Sequence, residues 1–111
     1  MATTTYKILG QSAPTSTSNA DLITVGASKS QIVSTLHIAN ATATDATARV
    51  FARIAGAAAA AGNAVIYDVS VPGNGFLSLT LGITLAATDV VTVRTGTANA
   101  LTFTAFGTEI A

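Results

Sequence analysis

Few side chains in this sequence are suited to catalysis. There is one histidine, His37, and no cysteine. A nucleophilic triad needs a general base, and histidine usually supplies it. His37 lies in the segment STLHIAN, whose pattern is that of a β-strand. A histidine satisfied by hydrogen bonds in or beside a sheet explains this position better than a catalytic role.

The acidic residues are equally poor candidates for an active site. Glycoside hydrolysis uses a pair of carboxylates, and the sequence offers five: Asp21, Asp45, Asp68, Asp89 and Glu109. No two are close in sequence, and Asp21, Asp68 and Asp89 stand at or near the start of a predicted strand, where turn chemistry accounts for them. No metal-ligand spacing or phosphate-binding glycine pattern is present. We therefore predict a protein that is not an enzyme and has no catalytic, cofactor-binding or metal-binding residues.

The charge content is low. Only 9% of the 111 residues are charged, and five positive and five negative residues cancel; about 25% is the average for globular domains. The basic residues are spread along the chain, so nucleic acid is not an expected partner. A near-neutral surface rich in alanine and threonine is poor at keeping copies apart. We expect neighbouring subunits to cover much of it; a soluble domain with a hydroxyl-rich exterior is the alternative.

The length fits a single domain, residues 1–111, with one hydrophobic core. The first residues lack the apolar segment of a secretory signal, and no stretch approaches the length of a membrane span. The prediction is a chain made in the cytoplasm, or carried out of a cell without a secretory signal, with no membrane partner.

The clearest secondary-structure signal is the segment Phe76–Leu85. Every second residue from Leu77 to Leu85 is leucine or isoleucine, with small or hydroxyl-bearing residues between. This period of two is typical of a half-buried strand. We predict one continuous central strand with Leu81 in the core, joined to the preceding strand, Ala64–Val71, by a Pro-Gly-Asn-Gly hairpin turn.

Six further segments have the composition of strands. They are Thr3–Leu9, Asp21–Val25, Gln31–Ala39, Ala48–Ile54, Asp89–Thr95 and Leu101–Phe106. About eight strands at spacings near a dozen residues predict an all-β fold, an antiparallel β-sandwich of jelly-roll type. The segments DLITV-GASK-SQIVS and YDVSV-PGNG-FLSLT also echo one another, which suggests two similar hairpins. Residues 11–20 form a loop or an extended arm.

Alternation also assigns the faces of individual strands. It places Ile32, Leu36 and Ile38 on one face of the third strand. In the fourth strand it places Val50, Ala52 and Ile54 on the core side, and Arg49, Phe51 and Arg53 on the opposite side. Aromatic residues and arginine are enriched at protein contacts, so Arg49, Phe51 and Arg53 are a candidate subunit interface. The alternatives are a phenylalanine stacked locally, or one that fills the second face of the strand between solvated arginines.

Several segments together suggest a family. They are Tyr6–Pro14 (YKILGQSAP), the block Asp21–Val25 with Ile32–Leu36 and Asn40, Tyr67-Asp68, Leu79–Val91 (LTLGITLAATDVV) and Phe106–Ile110 (FGTEI). With these, nearly the whole chain resembles a family of short virion-associated structural proteins of tailed bacteriophages. The resemblance implies a component of the virion, made in the host cytoplasm, and carries over no catalytic residue.

Taken with the low charge, the resemblance favours a capsid decoration (cement) subunit present in many copies. Its expected partners are itself, as a trimer or another ring, and other virion proteins such as the major capsid or tail protein. Two alternatives stay open. One is a small subunit of the tail, collar or fibre base, and the other is a module that binds a host-surface glycan or receptor.

Overall fold

The computed structural model describes residues 3–111. Nine strands and two single-turn 3₁₀ helices, Ile54–Gly56 and Ala61–Asn63, follow one another along this part of the chain. The strands are β1 (Thr4–Ser12), β2 (Ala20–Thr24), β3 (Ser30–Asn40), β4 (Ala46–Arg53), β5 (Ala64–Val71), β6 (Phe76–Leu79), β7 (Ile83–Leu85), β8 (Val90–Thr95) and β9 (Leu101–Ile110). Within the same residues, no helix has the length and apolar character needed to cross a membrane.

The strands form two antiparallel sheets. The front sheet has the order β1-β9-β3, with β6 and β7 both paired to the far side of β3, and the back sheet has the order β2-β8-β4-β5. If β6 and β7 are counted as one interrupted strand, each sheet has four strands and most connections pass from one sheet to the other. This is the arrangement of a jelly roll. The predicted all-β sandwich is therefore confirmed.

The core lies between the two sheets. Its largest fully buried side chains come from the front sheet, with Phe103, Leu36 and Ile38, and they meet Val50 and Val93 of the back sheet. Removing each large aliphatic side chain from water stabilises the fold by about 1.5–3 kcal/mol. Burial between two sheets is what the alternation of the strands makes possible.

Asn40 joins the sheets at the end of β3. Its side chain is buried and donates hydrogen bonds to the carbonyl oxygens of Thr44, at 2.9 Å, and Val71, at 3.1 Å. Its Oδ1 accepts hydrogen bonds from the backbone N–H and the hydroxyl of Thr42. All the polar capacity of this buried amide is thus used, as burial requires.

The segment Phe76–Leu85 is neither continuous nor central. It is split into β6 and β7, which together form one edge of the front sheet. Between them Gly82 adopts a φ of 61°, a left-handed conformation that glycine reaches without steric cost. Leu81, predicted to lie in the core, is 43% exposed. The alternation correctly places Leu77, Leu79, Ile83 and Leu85 on the core side. It does not reveal the interruption between β6 and β7.

The turn Val71–Gly75 is not a hairpin turn. It carries the chain from β5 in the back sheet to β6 in the front sheet. Asn74 N–H donates to the Thr42 carbonyl at 2.7 Å, and a Cβ on Gly73 would lie 2.4 Å from the Ala43 carbonyl oxygen. Close packing against the loop that follows β3 therefore fixes this crossing, and glycine is needed to permit it.

The internal echo has a different meaning from the one predicted. The turn after β2 also crosses from the back sheet to the front sheet, so neither echoing segment is a hairpin. The two segments occupy equivalent places in the fold. β2 and β5 are the two edge strands of the back sheet, and the strands that follow them, β3 and then β6 and β7, are neighbours in the front sheet. The echo is therefore a repeat of topology, in which each segment runs from an edge strand of the back sheet into the front sheet.

The faces of β3 change part-way along the strand. Its register with β9 shifts between Val33 and Thr35, so Ser34 is an extra residue, a β-bulge. A bulge changes the phase of alternation. Val33, Leu36 and Ile38 are consequently buried, whereas Ile32, predicted to share the core face, is partly exposed on the opposite side.

One further expectation differs from the structure, and one segment can be described more closely. Ile54 is 79% exposed rather than on the core side, because β4 ends at Arg53 and a 3₁₀ turn with Ala55 at a positive φ follows. In residues 11–20, the first two extend β1, and Pro14 is buried with its carbonyl accepting a hydrogen bond from Asn99 N–H. This part of the segment lies against its own domain.

The exposed and buried leucines provide a direct test. Leu36→Ala should lower the free energy of unfolding by about 2–5 kcal/mol, because it leaves a cavity in a dense core. Leu81→Ala should lower it by about 1 kcal/mol or less. Urea unfolding followed by circular dichroism measures both. Equal losses would place Leu81 in the core after all.

Candidate interaction surfaces

The structure brings Arg49, Phe51 and Arg53 together on one surface. All three lie on the outer side of β4. Ala48 and Val50, which alternate with them along the strand, face the core. Their register partners on β8 include Arg94, opposite Arg49, and Thr92, opposite Phe51. We call this outer side of the back sheet the arginine face.

Phe51 is covered by its own chain. It is only 3% exposed and lies outside the main core. Its ring packs edge to face against Tyr67, with ring centres 6.3 Å apart and planes at 84°. The guanidinium of Arg49 in turn lies 4.0 Å from the centre of the Tyr67 ring, a cation–π arrangement. Of the alternatives, local stacking describes Phe51 in the isolated subunit.

Arg49 is held by a two-pronged ion pair. Its Nε and Nη2 donate to the two carboxylate oxygens of Asp68 at 2.6 and 3.0 Å. The register of β4 with β5 shifts between Ala48 and Val50, so Tyr67 and Asp68 together oppose Arg49 as a bulge. Asp68 has a φ of 56°. The bulge therefore aims the carboxylate at the arginine, and the hydrogen bond from Arg49 lowers the pKa of Asp68 below its ordinary value.

Arg53 is also fully engaged within the chain. Its guanidinium donates to Asp21 at 3.2 Å, to the Thr92 hydroxyl at 3.0 Å and to the Gly56 carbonyl at 2.9 Å. Thr92 donates onward to Asp21 at 2.9 Å. This network ties β4 to β8, β2 and the 3₁₀ turn. An interface role for Arg49, Phe51 and Arg53 stays a prediction, but each of the three already has partners.

A shallow polar pocket lies at one end of the arginine face. It has a volume of about 290 Å³ and is lined by Thr47, Arg49, Asp68, Arg94 and Gly96. Within residues 3–111, Arg94 has no ion-pair partner within 4 Å. The pocket therefore contains one guanidinium, that of Arg94, whose charge no carboxylate among these residues neutralises.

A second surface, which the sequence did not reveal, covers the outer side of the front sheet. We call it the neutral face. Its residues are given by the register of β1, β9, β3, β6 and β7: Thr4, Tyr6, Ile8, Gln11, Ser30, Ile32, Thr35, His37, Ala39, Phe76, Ser78, Thr84, Thr102, Thr104, Phe106, Thr108 and Ile110. None of the ten Asp, Glu, Lys and Arg residues is among them.

Large apolar side chains are exposed on the neutral face. Tyr6 is 82% exposed and Ile8 55%, and Ile32 and Phe106 lie beside them; Phe76, 62% exposed, lies apart from this group at the other end of the face, opposite Ala39. A shallow groove of about 580 Å³ runs between Tyr6, Ile8 and Phe106, and Lys7, which belongs to the inner side of β1, also contributes to its lining. His37 stacks on Phe76 with ring centres 5.1 Å apart. Contiguous exposed apolar area of this kind marks an interaction site.

The signal for the neutral face was present in part. Tyr6 and Ile8 alternate with Lys7 in β1, and Phe106, Thr108 and Ile110 alternate in β9. What alternation could not show is that β1, β9 and β3 are neighbours, nor that bulges at Leu9 and Ser34 shift the phase.

Each of the five carboxylates has a hydrogen-bond partner within the chain. Asp45 accepts from Gly73 N–H, and Asp89 accepts from the N–H groups of Ala55 and Ala86, which lowers the pKa of Asp89. Turn chemistry thus describes Asp89, whereas Asp21 and Asp68 bind arginines instead. Glu109 accepts hydrogen bonds from Gln31 and Lys7, which lower its pKa. Among residues 3–111, no three His, Cys, Asp or Glu side chains could hold a metal ion.

Comparison with known proteins adds no family to these observations. No protein-family model matches the chain, and no curated protein is significantly similar to it.

The local role of Phe51 can be tested by stability. Phe51→Ser should lower the free energy of unfolding by about 3 kcal/mol or more, because a buried aromatic ring is lost. Arg94→Ser, on the same face but facing solvent, should change it by about 0.5 kcal/mol or less. Both follow from denaturant titrations. A Phe51→Ser protein of unchanged stability would show that the ring contributes nothing to the isolated fold.

The ion pair between Arg49 and Asp68 predicts that the stability of the fold decreases at acid pH. The pKa values of Asp68, Asp89 and Glu109 are lowered in the folded state, so their stabilisation is present above the ordinary carboxyl pKa of about 4 and is lost as the pH falls further. Asp68→Asn keeps a residue that tolerates positive φ and removes the charge. The melting temperature of this variant should fall less steeply below about pH 4 than that of the wild type. Identical slopes would show that Asp68 does not contribute.

Proposed function

We propose that this chain is a non-enzymatic structural protein of a bacteriophage virion, used in many copies as a capsid decoration subunit. The observation that carries the proposal is the neutral face. A domain that exposes Tyr6, Ile8 and Phe76 on the outer side of one sheet, where no charged side chain lies, has a surface built for contact. The arginine face, by contrast, carries the charged side chains of Arg49, Arg53 and Arg94, which suit a surface in contact with water.

Two further points support a structural role. Jelly rolls are recurrent in viral capsid proteins, although the same fold also serves lectins and enzymes, so this point is one of analogy. The carboxylates and His37 are committed to hydrogen bonds or stacking within the domain. The partners would be other copies, arranged as a trimer or another ring, and a capsid or tail protein of the particle.

One observation favours a binding module as the second candidate. Tyr67 is partly exposed beside the polar pocket formed by Arg49, Asp68 and Arg94, and sugars are often bound by an aromatic face with charged or polar groups nearby. A host-surface glycan would be the ligand. Binding of glycans that Arg94→Ala abolishes would favour this candidate over attachment through the neutral face. A role in the tail, collar or fibre base would use the neutral face in the same way as capsid decoration.

The proposal predicts that attachment depends on the neutral face. Particles lacking the chain should take up the wild-type protein, and Ile8→Asp should reduce uptake about tenfold or more, because a buried unpaired carboxylate costs several kcal/mol. Ser70→Asp, which adds the same charge to the outer side of the back sheet, is the control. Mass spectrometry of purified particles measures occupancy, and cryo-EM locates the density on capsid or tail.

Two outcomes would contradict the proposal. One is the absence of the chain from purified particles. The other is equal occupancy by the Ile8→Asp and Ser70→Asp variants, which would leave the neutral face without a role in attachment.

A further inference from the structure

The first half of β1 is exposed on three sides. Residues Thr4–Ile8 are all exposed or half-buried, and β1 is the terminal strand of the front sheet, paired within residues 3–111 only with β9. The second half differs, because a bulge at Leu9 interrupts the strand and Gly10 lies against the backbone of Leu22 in β2. A free, extended edge of about five residues therefore remains, and such edges are templates for pairing.

The hydrogen bonds of β1 show which backbone groups are free. Thr3 and Ala111 exchange two bonds, from Thr3 N–H to the Ala111 carbonyl at 2.7 Å and back at 2.9 Å. In an antiparallel pair such reciprocal pairs recur at every second residue. Thr5 and Lys7 thus point their N–H and C=O groups toward β9, and those of Thr4, Tyr6 and Ile8 point to the open edge.

We propose that this edge pairs with the same edge of a second copy, antiparallel and about a twofold axis, with Tyr6 opposite Tyr6. The contact joins two front sheets into one continuous sheet. It places Thr4 of each copy opposite Ile8 of the other, so that all the outward-pointing backbone groups of this segment find partners. Strand addition of this kind is a general mode of protein association.

Charge and geometry select this register. A twofold axis at Lys7 would set two lysines directly opposite each other, which destabilises a strand pair. An axis at Thr5 would set Ile8 opposite residue 2, outside the part of the chain that the structure describes, and an axis at Ile8 would draw the bulged half of the strand into the ladder. With the axis at Tyr6, Lys7 lies opposite Thr5, on the core-facing side where it already binds Glu109 at 3.1 Å.

The occupant is a second copy because the edge is complementary to itself. Every outward-pointing pair in this register is uncharged, and the neutral faces of the two copies become one surface across the axis. Twofold contacts of this isologous kind are the commonest in soluble oligomers. The inference goes beyond the proposed virion role and does not depend on it, because the contact forms in solution; in a ring it would join one ring to another.

Cysteine crosslinking tests the register, since the chain has no cysteine of its own. In the proposed pair the Tyr6 Cα atoms are about 5.5 Å apart, within the range of a disulfide. The two Thr5 positions are displaced diagonally to about 7–8 Å, at or beyond that range. Mild oxidation should therefore convert Tyr6→Cys to a covalent dimer at least tenfold faster than Thr5→Cys, and a mixture of Thr5→Cys with Lys7→Cys should crosslink.

A backbone substitution tests the hydrogen bonds themselves. Tyr6→Pro removes an N–H that points to the open edge and that β9 does not use, and proline is tolerated at such edge positions. Tyr6→Thr removes the same side chain but keeps the N–H. Sedimentation equilibrium should give a dimer dissociation constant at least tenfold higher for Tyr6→Pro than for Tyr6→Thr, with both folded by circular dichroism.

Three results would overturn the inference. They are a wild-type protein that stays monomeric at its highest soluble concentration, Thr5→Cys that crosslinks as fast as Tyr6→Cys, and proline and threonine variants that associate equally. A dimer in solution with no chain on the particle would leave the inference standing and refute the virion role, so the two fail separately.

Discussion

The uninterrupted strand β9 is the element on which the front sheet depends. It keeps one phase of alternation from Leu101 to Ile110, whereas both its neighbours gain a residue where they pass Phe106: β1 at Leu9 and β3 at Ser34. The outer strand breaks at the same level, between β6 and β7. The irregularities thus form one line across the sheet. Bulges bend a strand and increase its twist, so this line divides the front sheet into two halves with different surroundings.

Each half has its own structural task. On one side of the line, Leu36, Ile38 and Phe103 pack against the shorter back sheet and form the core. On the other side, Val33 and Leu85 still belong to the core, whereas β1 projects beyond it as an exposed edge whose inner side carries the cluster of Lys7, Lys29 and Glu109. Placing those three charges on the inner side leaves the outer side without any.

The sequence predicts what is local and misses what depends on pairing. Strand positions and the all-β fold follow from alternation, turn residues and the absence of helical periodicity, all of which act over a few residues. The exposure of Ile32 could not be predicted, because the bulge at Ser34 arises where two distant strands meet. The crossing at Pro72–Gly75 looks like a hairpin for the same reason: a turn specifies a reversal, and only contact with residues 40–45 decides which sheet the next strand joins. Phe51 is hidden by Tyr67, which the bulge in β5 brings over it.

The two outer surfaces also differ in the cost of covering them. The arginine face has the composition expected of a contact, but two of its three arginines, Arg49 and Arg53, already bind Asp68 and Asp21. A partner that covered these exposed pairs would have to remove water from charges whose interactions are already made, and desolvation would offset much of the gain. The neutral face has no charge to desolvate, and its hydroxyl groups can pair across an interface or bind water at little cost. In a chain with so few charged residues, the positions of the charges distinguish the face suited to contact, the neutral face, from the arginine face. The sequence shows how few there are, and only the pairing of the strands shows that none of them lies on the outer face of the front sheet.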